Sequence, residues 1–305
     1  MILLAEHFVR APEWLGWVLL YFFFAGIAGG TYLIATLLRL SGDPRDEPAA
    51  RIGFLISAPA TVVCPIFLTA DLGASWTKFW HMLVNVTPGG PSLSFKYWSP
   101  MSVGAWALLV FGFFVAVSFL DAWISVRRGK PFVPLPLNRV FNVVGSVVAI
   151  YIASYTGVLI SVSNQPVWSD TPTLGGLFLA SGLSGSAALI ALLIRNRPDP
   201  SYSLGRLHQA DGYFSVLELA LIIVFFATIG AAGAVARELP WAPLWVLALV
   251  GVAGSLVVAR ERLRIQAAGG GSATVAGIRI DTVVVSVLVL IGVLALRAAV
   301  IFSAQ

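Results

Sequence analysis

Eight separate apolar runs, each long enough to cross a membrane, dominate this sequence of 305 residues. A membrane-spanning helix needs roughly 20 mostly apolar residues in a row. Only 11% of the residues are charged, compared with about 25% in an average soluble domain. The sequence therefore predicts an all-α integral membrane protein with eight transmembrane helices. The predicted spans are Trp14–Leu40, Ile52–Leu72, Met101–Ile124, Val140–Ser161, Thr173–Ile194, Gly212–Ala232, Trp241–Ala259 and Thr282–Phe302.

The basic residues lie mostly in alternate loops between these spans. If the N-terminus is outside the cytoplasm, 14 of the 19 Lys and Arg residues fall in the four inner loops. Short cytoplasmic loops carry such an excess of Lys and Arg. The pattern therefore predicts a multi-pass protein with both termini outside (N-out/C-out).

The longest outer connection, residues 73–100, is rich in Trp, Phe and Tyr. Two compatible interpretations stay open. These aromatic side chains form a belt at the level of the lipid headgroups, or they form a docking surface for an extracytoplasmic partner.

Several kinds of metal chemistry are disfavoured by the composition. Haem held inside a bundle by two histidines needs both at similar depth on facing helices, and His7, His81 and His208 provide no such pair. Cys64 is the only cysteine, which excludes an internal disulfide and an iron–sulfur cluster bound by this chain alone. We therefore expect no metal site, haem or iron–sulfur cluster in this chain.

Acidic residues near or within spans are candidates for function because burying a charge in lipid is costly. Glu218 and Asp211 are seven residues apart and share a helix face; with His208 they suggest an inner proton path, and Asp121 is a further candidate. The alternative is structural: Asp211 and Asp281 begin helices, where the macrodipole favours an acid, and Glu218 is paired within the fold. Both interpretations stay open.

Two tyrosines lie at matching depth on predicted spans that run in opposite directions. At a rise of 1.5 Å per residue, Tyr21 and Tyr155 lie roughly 10–12 Å below the outer surface. A phenol at that depth can donate a hydrogen bond to a quinone carbonyl and pass a proton. Tyrosine is also common near membrane interfaces for structural reasons, so the depth alone leaves both roles open.

Five segments carry a resemblance to a known family. In these segments the sequence resembles the polysulfide reductase membrane-subunit family, often called NrfD/PsrC. They occur in the family's order and cover most of residues 14–195, whereas residues 196–305 resemble the family only in hydropathy. The segments are YFFFAGIAGGTYL (21–33), ADLG (70–73), SPMSVGAW (99–106), YTGVLISVSNQPVW (155–168) and LFLASGLSGSAAL (177–189).

The resemblance implies a single membrane domain, 1–305, built from two four-helix bundles. The bundles correspond to residues 14–162 and 173–302. It also implies a bacterial cytoplasmic (inner) membrane location and a quinone site near the extracytoplasmic face, for menaquinone or ubiquinone.

The resemblance further implies which residues face the quinone. A polar residue on the first helix and a tyrosine on the fourth contact the quinone head in this family, and these positions correspond to Tyr21 and Tyr155. Asp71, Trp168 and Asp170 are secondary candidates at the mouth of the same site.

The predicted function is that of a quinone-binding membrane anchor subunit of a respiratory oxidoreductase. The resemblance implies a partner iron–sulfur subunit of the four-cluster ferredoxin type and, through it, a catalytic molybdenum or multihaem subunit. Two alternatives stay open: a proton-translocating or transporter subunit with no redox role of its own, and a purely structural anchor without a ligand.

Overall fold

Eight long apolar helices make up most of the chain. The computed structural model describes residues 12, 14, 16–73, 75–86, 90–130, 132–197, 200–230, 241–267, 274–275, 278–279 and 281–305. In this part of the chain, eight helices are long and apolar enough to cross a membrane, which supports the predicted all-α membrane fold. They are α1 (Gly16–Leu40), α2 (Glu47–Asp71), α3 (Pro100–Arg128), α4 (Leu135–Ser161), α5 (Leu174–Ile194), α6 (Ser201–Thr228), α7 (Ala242–Ala267) and α8 (Thr282–Phe302).

Short elements occupy some of the connections. A 3-10 turn at Pro44–Asp46 joins α1 to α2, and a 3-10 helix at Trp76–Met82 follows α2. An antiparallel hairpin of β1 (Val84–Asn85) and β2 (Ser92–Leu93) then leads to α3. A second small hairpin, β3 (Thr274–Val275) with β4 (Ile278–Arg279), precedes α8.

Local signals fix several helix ends. Ser99 caps α3 by accepting a hydrogen bond from the backbone N–H of Ser102, and Gly129 ends that helix with a left-handed φ of 70°. Asp281 caps α8 by accepting from the backbone N–H of Val283 at 2.8 Å. Its predicted role as a helix start is therefore confirmed.

The predicted start of the sixth helix is wrong by about three turns. Helix α6 begins at Ser201 rather than Gly212, and Ser203, His208 and Asp211 are buried within it. Averaged hydropathy excludes such polar residues from a predicted span. Here their side chains are buried against other helices, so the span can contain them. The interpretation of Asp211 as a residue at a helix start is therefore wrong.

The helices contact one another in two rings. In the first ring α1 contacts α2 and α4, and α3 contacts α2 and α4. In the second ring α5 contacts α6 and α8, and α7 contacts α6 and α8. The two rings meet through contacts of α5 with α1, α2 and α4, and of α8 with α1. Helices α1 and α5 are consequently the central helices.

Glycines allow α1 and α5 to approach closely. A Cβ at Gly182 would lie 3.1 Å from the Cα of Gly26, and a Cβ at Gly30 would lie 2.7 Å from the carbonyl oxygen of Gly182. Small residues permit such backbone contact between helices in lipid. The seam between the rings is therefore formed partly by the main chain.

Candidate functional site

A cavity of about 120 Å³ lies near the end of the molecule where α1 begins. It is bounded by the first turns of α1 and α3 and the last turns of α2 and α4. Its lining is apolar except for Trp14, Tyr21, Asp71 and Tyr155. Because a dry protein cavity of about 150 Å³ can hold benzene, this volume is on the scale of a single six-membered ring.

Tyr155 on α4 is held in this cavity by its neighbours. The residue is 4% exposed, and its ring stacks on that of Tyr151 with 5.5 Å between ring centroids. On the facing helix α3, a Cβ at Gly104 would overlap the ring and hydroxyl of Tyr155. Gly104 therefore provides the space that the phenol occupies.

Tyr21 lines the same cavity from α1. The residue is 3% exposed, and its ring centroid lies 5.5 Å from that of Phe22, which also lines the cavity. The hydroxyls of Tyr21 and Tyr155 each carry one O–H donor and acceptor lone pairs. Both residues therefore bring a hydrogen-bonding group to the lining of the cavity.

Asp71 is the third predicted site residue that lines this cavity. It is the last residue of α2 and is partly buried. Leu72 and Met82 line the cavity beside it, and Met82 is the last residue of the 3-10 helix that follows α2. The start of the connection between α2 and α3 thus contributes to the site, and a carboxyl group lies within it.

Trp168 and Asp170 lie outside the lining of the cavity. Trp168 is fully buried, donates from Nε1 to the carbonyl oxygen of Val300 at 2.7 Å, and stacks on Trp14 at 5.3 Å. Asp170 accepts a hydrogen bond from the backbone N–H of Val167 at 3.1 Å. Since Trp14 lines the cavity, Trp168 supports its wall from behind.

The predicted proton-path residues on α6 form a buried polar cluster in the second ring. The hydroxyl of Ser184 on α5 donates to the carboxylate of Asp211 at 2.6 Å and lies 3.3 Å from the hydroxyl of Ser215. Glu218 is 2% exposed and lines a narrow cleft together with Ser184. His208 is buried on the same helix.

Asp121 belongs to a different cluster, in the first ring. Its carboxylate pairs with Arg39 at 3.2 Å, accepts from the side-chain amide of Asn138 at 2.8 Å, and accepts from the backbone N–H groups of Phe132 and Val133. The four proton-path candidates therefore lie in two separate clusters, one in each ring.

Arg297 is a buried residue that the sequence reasoning assigned to no site. It has no exposed surface and donates hydrogen bonds to the hydroxyl of Ser181 at 2.9 Å and the carbonyl oxygen of Phe178 at 3.0 Å. The available signal was its position: a basic residue inside an apolar span is functional by default.

The distribution of possible metal ligands is sparse. Within the described ranges, no group of three or more His, Cys, Asp or Glu residues could hold a metal ion. His81 lies in the 3-10 helix between α2 and α3, and His7 lies outside the described residues.

Sequence comparisons identify relatives along nearly the whole chain. The profile of the family described as "Polysulphide reductase, NrfD" matches residues 5–305. A component of the polysulfide reductase of Wolinella succinogenes is 25% identical over 308 residues, covering 94% of this chain and 93% of the relative. Protein NrfD of Escherichia coli (strain K12) is 26% identical over 245 residues, covering 73% of each protein.

A third relative matches a shorter segment. A component of the tetrathionate reductase of Salmonella typhimurium is 30% identical over 198 residues, covering 63% of this chain and 52% of the relative. The profile match extends through the second half of the chain, where the sequence segments alone indicated a resemblance only in hydropathy. The chain is a multi-pass membrane protein that belongs to the polysulphide reductase NrfD family.

Proposed function

We propose that this chain is the quinone-binding membrane subunit of a respiratory oxidoreductase. The observation that carries the proposal is the pair of phenols, Tyr21 and Tyr155, that line one apolar cavity from two different helices. The head of a quinone is a flat ring with two carbonyl acceptors. A ring-sized apolar cavity with two hydroxyl donors suits such a ligand.

The chemistry divides between this chain and a partner. Reduction of a quinone to a quinol takes up two electrons and two protons, and oxidation releases them. In this proposal Tyr155 and Tyr21 donate hydrogen bonds to the carbonyl oxygens and transfer protons to them. Asp71, which lines the same cavity, exchanges protons between the phenols and water.

The electrons pass to or from a partner subunit. The relatives are named as parts of polysulfide and tetrathionate reductases, which supports a place for this chain in a complex with a catalytic subunit. We propose that the direct partner is a four-cluster ferredoxin-type iron–sulfur protein on the extracytoplasmic side, which connects to a molybdenum or multihaem subunit.

The membrane arrangement is part of the same proposal. The two rings of helix contacts support two four-helix bundles, 14–162 and 173–302. The excess of Lys and Arg in alternate loops supports an N-out/C-out orientation in a bacterial cytoplasmic membrane. This orientation puts the cavity at the outer surface, where the iron–sulfur partner would bind.

A single hydroxyl deletion tests the proposal. In the purified complex, Tyr155→Phe should lower quinone-dependent turnover by about ten-fold or more, because general acid catalysis typically contributes 10²–10⁴-fold. The matched control is Tyr151→Phe: Tyr151 stacks on Tyr155 but does not line the cavity. Extraction and chromatography should show one bound quinone molecule per complex in the wild type and in the control.

Two outcomes would contradict the proposal. One is wild-type turnover in Tyr155→Phe with the complex assembled. The other is purified wild-type complex that contains no quinone and cannot be reconstituted with menaquinone or ubiquinone.

A second candidate function is proton translocation through the second ring. The observation in its favour is the buried cluster on α6, in which Ser184 donates to Asp211 and lines a narrow cleft with Glu218. It predicts that Glu218→Gln abolishes proton uptake by liposomes containing the complex while quinone stays bound. If uptake is unchanged in this variant, the cluster is structural.

A further inference from the structure

A second cavity, of about 460 Å³, lies at the opposite end of the first ring from Tyr21 and Tyr155. Its lining comes from the last turn of α1, the first turns of α2 and α4, and the inner part of α3. The ends of spanning helices lie at the level of the lipid headgroups, because the hydrocarbon core is only about 30 Å thick. The cavity is therefore at the depth of the lipid phosphates.

Three carboxylates line this cavity, and each already has a basic partner. Arg39 is 7% exposed and pairs with Glu47 at 2.9 Å and with Asp121 at 3.2 Å. The third carboxylate, Asp43, pairs with Arg45 at 2.7 Å. Hydrogen bonds from Arg45 hold the pKa of Asp43 well below its usual range. Arg39 is shared by Glu47 and Asp121, and Arg51 also pairs with Glu47. With Arg45, these arginines balance the three carboxylates, and Arg139 adds a positive charge in excess.

Two arginines that line the cavity have donors to spare. Arg51 donates from Nε to Glu47 at 3.0 Å, and within the described residues its two terminal nitrogens have no hydrogen bond. Arg139 forms no ion pair with a described residue, and its Nη2 would lie 3.8 Å from a Cβ at Gly42, which also lines the cavity. Guanidinium groups bind phosphate oxygens through paired N–H donors.

We propose that this cavity binds the phosphate group of an anionic phospholipid, with Arg51 and Arg139 as the phosphate ligands. Basic pockets between helix ends at the cytoplasmic side of membrane proteins bind such headgroups. The side of α4 beside Arg139 that faces away from the other helices is apolar and exposed: Leu137 is 62% and Val140 63% exposed. Acyl chains lie against this face while the headgroup enters the cavity.

Native mass spectrometry of the purified full chain in a non-ionic detergent tests the assignment. Phosphatidylglycerol is titrated against the wild type, the double variant Arg51→Gln/Arg139→Gln, and the control Arg127→Gln. Arg127 lies near the same end of α3, over the ring of Trp123 at 4.7 Å, and does not line the cavity. The double variant should bind the lipid about ten-fold or more weakly, because both phosphate ligands are lost. A factor of ten corresponds to about 1.4 kcal/mol of binding free energy. The control should match the wild type.

The remaining measurements distinguish the phosphate of a lipid headgroup from free inorganic phosphate. Phosphatidylcholine carries the same phosphodiester with an added positive charge, so the wild type should bind it more weakly than phosphatidylglycerol. Equal binding of the two lipids by the wild type would overturn the preference for an anionic lipid. Inorganic phosphate at millimolar concentration should not displace phosphatidylglycerol; full displacement would assign the cavity to free phosphate and overturn the lipid assignment. Unchanged lipid binding in the double variant, or an equal loss in Arg127→Gln, would overturn the site itself. None of these measurements depends on quinone binding, so they succeed or fail independently of the proposed function.

Discussion

Arg297 on α8 donates a hydrogen bond from Nε to the backbone carbonyl oxygen of Phe22 on α1 at 3.3 Å. Phe22 lines the cavity that contains Tyr21 and Tyr155. The same guanidinium donates to the hydroxyl of Ser181 on α5 at 2.9 Å. One buried side chain of the second ring therefore contacts the wall of the proposed quinone cavity.

Arg297→Met should destabilise the protein strongly. It removes the donors to the hydroxyl of Ser181 and to three backbone carbonyl groups, and leaves those carbonyls without these bonds. The carbonyls belong to Phe22, Phe178 and Val293. We expect a loss of about 2–4 kcal/mol, because hydrogen bonds to charged groups contribute more than neutral ones. The free energy of unfolding can be measured by titration with sodium dodecyl sulfate. Ser181→Ala is the control and should lose only about 0.6 kcal/mol, the average for side-chain hydrogen bonds between membrane helices.

Gly104→Ala should displace Tyr155 from the cavity. The new Cβ would overlap the phenol, and overpacking of this kind costs about 1–3 kcal/mol. The matched control on the same helix is Gly112→Ala, because a Cβ there meets nothing within 4 Å. We expect less bound quinone in Gly104→Ala than in Gly112→Ala at equal amounts of folded protein. Equal quinone content in the two variants would show that the position of Tyr155 does not matter for binding.

Asp121→Asn should affect stability rather than turnover. Its carboxylate is the buried partner of Arg39, and breaking a buried ion pair costs about 3–5 kcal/mol; Glu47 still pairs with Arg39, so we expect the lower end of this range. Turnover per folded molecule should stay at the wild-type level. A large fall in turnover without a change in stability would instead favour a role for Asp121 in proton transfer.

Asp281→Ala should remove the cap of α8. The carboxylate accepts a hydrogen bond from Val283, and losing a cap of this type costs about 1 kcal/mol. Asp281→Asn keeps an accepting oxygen and should retain most of the stability. Thermal unfolding monitored by circular dichroism in detergent distinguishes the two variants; equal midpoints for both would contradict the capping role.

Hydropathy was sufficient to locate the eight spans but not all of their ends. The last span was predicted at Thr282–Phe302, and α8 has these bounds. The start of α6 was missed because His208 and Asp211 face the protein interior, whereas hydropathy treats every polar residue as facing water. A periodic pattern of polar residues on one helix face would have been the better guide.

The candidate site was predicted only in part for a related reason. Counting residues from the membrane surface gave Tyr21 and Tyr155 a common depth, and the two residues line one cavity. Gly104 provides space for Tyr155 only because its side of α3 faces α4. The depth of a residue in the membrane does not determine which side of a helix faces its neighbour. The contacts of Arg297 with α1 and α5 are tertiary, so its place near the end of the last span does not predict them.

The backbone contact between Gly26 and Gly182 also bears on how well the protein seals the membrane. At this level α1 and α5 leave no slot between them wide enough for a file of water molecules. Water and ions therefore have no path between these two helices at this level, because the main chain itself fills the space that side chains would otherwise have to close.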